Sequence, residues 1–141
     1  MLKIALMSLA LPAPMANPAR AADLVGKEFR GTCAYDRSRP PTFDFYAPCN
    51  VVGVYDVEDG RVMISFISPP GKETKFVGTP DPASKGRVFR VDIVQRDGLK
   101  PESVGHGECS ITTDSRSVRS VRCYAYAGIN RYIGQWYAAK K

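Results

Sequence analysis

Four cysteines set in alternating apolar segments constrain this chain more than any other feature. Cys109 lies in Glu108–Thr113, where Cys109 and Ile111 share one face. Cys123 lies in Val118–Ala127, where Val121, Cys123 and Ala125 share one face. In an extended chain, side chains two apart point the same way. Between the two segments stands Asp114-Ser115-Arg116-Ser117, a polar turn cluster. An antiparallel hairpin about Arg116 brings Cys109 opposite Cys123, close enough for a disulfide. Cys33 is then left to pair with Cys49 across a proline-rich loop. A ring of that size contributes about 3 kcal/mol on the chain-entropy argument. No Cys-x-x-Cys occurs, so a redox-active dithiol is not indicated.

The remaining segments also read as short strands. Phe29–Tyr35 is strand-like. Asn50–Val57 and Arg61–Ile67 flank Glu58-Asp59-Gly60, an Asp-Gly hairpin signal. Both strands of this hairpin carry apolar side chains on both faces, which predicts a central position covered on two sides. The Pro/Gly stretch Ser68–Gly86 holds one short strand, Lys75–Thr79. Arg87–Gln95 alternates with Phe89, Val91 and Ile93 on one face, and Asp97-Gly98 ends it. Tyr132–Tyr137 closes the chain. About seven or eight short strands with evenly spaced turns predict a small antiparallel β-barrel or sandwich, stabilised by disulfides.

The N-terminus is excluded from this fold. Met1-Leu2-Lys3 is followed by an apolar run from Ile4 to Leu11, then Pro12 and Pro14, then Ala19-Arg20-Ala21. This is the three-region pattern of a secretory signal peptide, 1–21, leaving one β domain, 22–141. The run is too short for a transmembrane segment, which needs roughly 20 residues. Removal of Lys3 and Arg20 leaves 18 basic against 14 acidic side chains, a net charge of +4. That balance suits acidic surfaces without indicating nucleic acid, which exported proteins rarely meet. An even cysteine count in an exported domain fits the same compartment, periplasmic or secreted.

Residues that could carry chemistry are sparse. The single histidine, His106, stands in Gly105-His106-Gly107-Glu108 with no marked partner, and reads as an ordinary loop residue rather than a general base. Asp56, Glu58 and Asp59 cluster at a hairpin tip and read as a solvated turn rather than a paired-carboxylate or Ca²⁺ site. Asp81 and Asp92 have no defined partners. No Gly-x-Ser-x-Gly or phosphate-binding loop is present. No enzyme, metal site or cofactor is therefore expected.

Two features suggest binding instead. The loop Asp36–Pro48 carries Arg37, Arg39, Phe43, Phe45 and Tyr46 among prolines, between the expected partners Cys33 and Cys49. Prolines and a disulfide lower the entropy lost on binding, and aromatics with arginine are frequent interface anchors. Phe43 and Phe45 can alternatively fold back over the barrel mouth. The second feature is Arg122, Tyr124 and Tyr126, which share one strand face opposite Cys123. Arg119, at odd spacing from Arg122, would point the other way on a regular strand. Trp136 reads as a packing residue. The expected function is that of a small, exported, non-enzymatic interaction protein of the bacterial cell envelope. It would bind an envelope or secreted protein, inhibitor- or adaptor-like, through the disulfide-closed loop. The alternative is a module that binds carbohydrate, an anionic polysaccharide or another polyanion, through the basic-aromatic face.

Overall fold

The computed structural model describes residues 24–33, 44–47, 49–68, 71–114 and 117–139. The proposed signal peptide, Arg37, Arg39 and Phe43 lie outside the described residues. Ten strands are present: β1 (Lys27–Cys33), β2 (Asp44–Tyr46), β3 (Val51–Val57), β4 (Arg61–Ser68), β5 (Lys72–Pro80), β6 (Val88–Arg96), β7 (Glu102–Ser103), β8 (His106–Thr113), β9 (Val118–Ala127) and β10 (Asn130–Ala138). Eight of them, β1, β3, β4, β5, β6, β8, β9 and β10, form an antiparallel sheet. It closes into a barrel where Gly31–Cys33 of β1 pair with Trp136–Ala138 of β10. Closure removes the sheet edges that an open meander of this length would expose.

Inward positions alternate as the sequence predicts. Val52, Val54, Val62, Ile64, Phe66, Phe76, Phe89, Val91, Val121, Ala125 and Trp136 are buried. Cys109 pairs in register with Cys123, and their disulfide lies inside the barrel, both residues at 2% exposure or less. The second bridge is Cys33–Cys49. An eight-stranded barrel is just wide enough for side chains to fill it. Here Trp136, Phe66, Phe76 and Phe89 do so, with Phe66 edge-on to Phe76 at 5.6 Å.

Four local expectations need correction. First, Ile93 is not on the face of Phe89 and Val91. The β5–β6 register shifts between Val77 and Gly78, which pair with Ile93 and Val91, leaving Asp92 as an extra residue. Such a bulge reverses the alternation beyond it, so Ile93 faces outward and Val94 is fully buried. The exposed Asp92 then pairs with Arg61 across the outer wall. Second, β5 runs nine residues rather than five, because both its edges are paired, with β4 and with β6. Third, the β3–β4 hairpin is not sandwiched. Its outward apolar residues Val51, Tyr55, Met63 and Ile67 are half-buried against one another on the barrel wall. Fourth, a register shift between Thr112 and Thr113 leaves Arg119 without a partner on β8. Arg119 and Arg122 are therefore both exposed despite their odd spacing, and Arg119 pairs with Asp114 at 3.6 Å.

Two tyrosines tie the wall and the interior to carboxylates. Tyr55 lies across the outward face of Gly53, where a Cβ would meet its ring at 2.5–2.7 Å, and its hydroxyl donates to Glu28 Oε1 at 2.7 Å. Tyr132 is buried and donates to Glu102 on β7. Burial, then the hydrogen bond to a carboxylate, then its charge, push both phenols up to about 12. An unfolded phenol loses its proton near pH 10, while the folded one keeps it to about 12. The stabilisation is therefore complete below pH 10 and is lost as pH rises through 12. The stability deficit of Tyr132→Phe, measured by urea unfolding, should accordingly shrink between pH 9 and pH 12. A deficit constant across that window would contradict this linkage.

Candidate functional site

The barrel has two ends, and the strand directions assign each turn to one of them. The disulfide Cys33–Cys49, the β4–β5 turn, the β6–β7 connection and the β9–β10 turn lie at one end, here called the loop end. The Glu58–Gly60 turn, the 3-10 turn Pro82–Ser84 and the β8–β9 turn lie at the other. Among the described residues, the two most exposed large apolar side chains lie at the loop end. Ile129, at the tip of the β9–β10 turn, is 75% exposed, and Leu99, in the β6–β7 connection, is 55% exposed.

Just below this end, the outer wall of β8, β9 and β10 presents the basic-aromatic face. Register sets it out in rows. His106, Tyr126 and Arg131 form one row, and Glu108, Tyr124 and Ile133 the next. Ser110, Arg122 and Gln135 form the third. Arg90 on β6 extends the middle row beside Glu108. Arg122, Tyr124 and Tyr126 thus share a face as their spacing requires, with Cys123 and Ala125 turned inward.

His106 was not foreseen as part of this face. It opens β8 rather than lying in a loop, and cross-strand pairing brings it to Tyr126. The imidazole stacks on the Tyr126 ring at 6.2 Å and 21°, and its Nε2 is 3.2 Å from Tyr124 Oη in a hydrogen bond. Tyr124 and Tyr126 meet edge to face at 6.0 Å. Burial, then the charge of Glu108, then Tyr126 raise the Tyr124 phenol, which therefore stays a neutral hydrogen-bonding group. The sequence signal for His106 is its odd distance from the inward Cys109, the same outward parity that Glu108 has, once β8 is extended to its true start.

The two sequence features also prove to be neighbours. β2, the end of the disulfide-closed segment, lies parallel to β10, with Asp44 opposite Arg131, Phe45 opposite Tyr132 and Tyr46 opposite Ile133. It occupies the edge of β10 that β1 leaves open beyond Cys33. The side chains of Phe45 and Tyr46 lie outside the described residues, but their backbone continues the sheet that carries Tyr124 and Tyr126.

No protein-family pattern, no curated protein and no solved structure matches this chain. Function must therefore be argued from the site itself. Two disulfides fit a non-cytoplasmic protein. Among the described residues, no helix is long and apolar enough to cross a membrane, and no three His, Cys, Asp or Glu side chains group to hold a metal.

Proposed function

We propose that this is an exported, non-enzymatic interaction protein, periplasmic or secreted, that binds a protein partner with the loop end of its barrel. The observation that carries this reading is the placement at that end of the exposed Ile129 and Leu99 together with the Cys33–Cys49 bridge. Large apolar side chains displayed on turns cost solubility unless they have a use, and a rim of such groups resembles interface anchors. A filled interior favours the same reading. With Trp136 and three phenylalanines packed inside, recognition belongs to the outer surface rather than to a central cavity. The strand ladder and the Cys33–Cys49 bridge tie down the base of this end, and such constraint lowers the entropic cost of binding.

The test is affinity capture from an envelope extract with the oxidised protein. A variant carrying Leu99→Ser and Ile129→Ser serves as control, with Phe43, Phe45 and Tyr46 changed to Ser in a second variant. A salt-resistant protein partner should be captured by the parent and lost with both variants, while each variant keeps its melting temperature within a few degrees. Capture that both variants retain would overturn the reading.

A further inference from the structure

We propose that the outer wall formed by β6, β8, β9 and β10 is a glycan-binding face for an uncharged, β-1,4-linked pyranose chain. It lies apart from the exposed loop-end turns and does not rest on the protein-binding reading. Two depressions meet at His106. One, of about 360 Å³, is bordered by Tyr124, Tyr126, Arg122, Arg131 and Gln135. The other, of about 430 Å³, is bordered by Arg90, Glu108, Asp81 and Pro82. From β6 to β10 the wall crosses three inter-strand spacings, about 15 Å.

Charge on this wall is balanced. Arg90 stands opposite Glu108 in register and Arg131 opposite Asp44, while Asp81 shares the depression of Arg90. With Arg122, three guanidinium groups accompany three carboxylates, which leaves no net attraction for a polyanion. The same set suits hydroxyl groups. Each sugar hydroxyl both donates and accepts a hydrogen bond. Arginine supplies donors only, a carboxylate acceptors only, and tyrosine, histidine and glutamine supply both. All of these types line the two depressions.

The aromatic rings supply the other half of sugar recognition. Tyr126 is 42% exposed, and its ring lies within 21° of the His106 plane at 6.2 Å. Tyr124 meets Tyr126 edge to face and is hydrogen-bonded to His106 Nε2, so the three rings hold one another in place. An aromatic face with a hydrogen-bonding tip suits the apolar C–H face of a pyranose and its hydroxyls together. A β-1,4-linked chain with equatorial hydroxyls is a flat ribbon with apolar C–H faces, and it can follow a sheet. An α-1,4-linked chain coils away from one.

A protein is the competing occupant, and two observations disfavour it. Besides the turn prolines, the aliphatic side chains are one in each depression, Ile133 and Val88, both half-buried. Protein interfaces are built on an apolar centre that this pair does not supply. β8 is paired with β6 and β9, and β9 with β8 and β10. These strands therefore offer no open edge for strand addition by an extended peptide. A glycan needs no such edge.

The test is calorimetric titration of the oxidised protein with cellohexaose and with chitohexaose, which carry plain hydroxyls and acetamido groups on the same flat chain. Maltohexaose and oligogalacturonate are the coiled and the anionic controls. At least one of the two flat chains should bind, with an affinity unchanged between low salt and about 0.15 M salt. Tyr126→Ala and Arg122→Ala should each weaken it about tenfold. Both controls should bind at least about tenfold more weakly. The Leu99→Ser, Ile129→Ser variant should bind the sugar unchanged, which separates this face from the loop end. Tighter binding of oligogalacturonate would overturn the uncharged assignment, and equal binding of maltohexaose the flat-chain assignment. Absence of binding by both flat chains, or indifference to both wall variants at unchanged melting temperature, would overturn the proposal outright. Loss of a captured protein partner with Tyr126→Ala, in the absence of sugar binding, would assign the wall to a protein interface instead.

Discussion

Replacing Cys109 and Cys123 together by alanine should lower the unfolding free energy by about 3–5 kcal/mol. Two contributions add. The bridge closes a loop of 14 residues in sequence separation, so removing it frees the denatured chain by about 3 kcal/mol on the chain-entropy argument. Both sulfurs are also buried inside the barrel, so the alanines leave a small void that the surrounding strands, held in a closed ladder, fill only in part. The same double replacement at Cys33 and Cys49 frees a loop of similar length, 16 residues in separation, but those cysteines are only partly buried. It should cost less, by about the cavity contribution. Urea unfolding of the two double variants measures the difference directly. Equal losses would mean that the interior position of the Cys109–Cys123 bridge adds nothing to its cross-linking role. A domain of ordinary stability, about 5–15 kcal/mol, should survive either change near room temperature but with a much smaller reserve.

The pairing of these cysteines was legible before any coordinates because it depends on parity alone. Cys109 and Cys123 are equidistant from Arg116, and the register keeps that symmetry through Thr112. The same parity made Tyr124 and Tyr126 outward and Ala125 inward. Where parity failed, an extra residue had been inserted. Asp92 and Arg119 are each left over at a register shift, and neither has a composition that marks a bulge. Position His106 was hidden for a different reason. Glycines on both sides made Gly105-His106-Gly107 look like a loop, yet Gly107 is buried in β8. A Cβ there would lie 2.8 Å from the Tyr124 carbonyl oxygen, so the glycine answers a close approach of strands rather than a turn. Barrel rather than sandwich was beyond the sequence, because closure rests on only three residue pairs between β1 and β10, far apart in the chain. The adjacency of β2 to β10 was equally hidden, since a parallel pairing of three residues leaves no periodic signal.

Glycines also decide how the closed barrel accommodates its aromatic interior, and this yields the second large effect. Gly134 on β10 is buried, and a Cβ built on it would stand 2.5–2.8 Å from the ring of Phe66. Small barrels fit their taper by setting small residues against large ones. Gly134 and Phe66 are such a pair, whereas at Gly31 the added carbon would meet the Tyr137 backbone oxygen at 2.1 Å before the Trp136 indole at 2.7 Å. Phe66 cannot swing away, because it is fully buried and packed edge-on against Phe76. Gly134→Ala should therefore destabilise the protein by about 2–3 kcal/mol through overpacking. The obstruction is a side chain, so trimming it should relieve the strain. In a double-mutant cycle, Phe66→Leu combined with Gly134→Ala should cost about 1–2 kcal/mol less than the sum of the single losses. Gly78→Ala provides the contrast. Its added carbon would lie 2.0 Å from the backbone oxygen of Arg90, beside the β5–β6 bulge, where no side-chain change can make room. Additive losses for Gly134→Ala and Phe66→Leu would show that the glycine serves the bending of β10 rather than the ring above it.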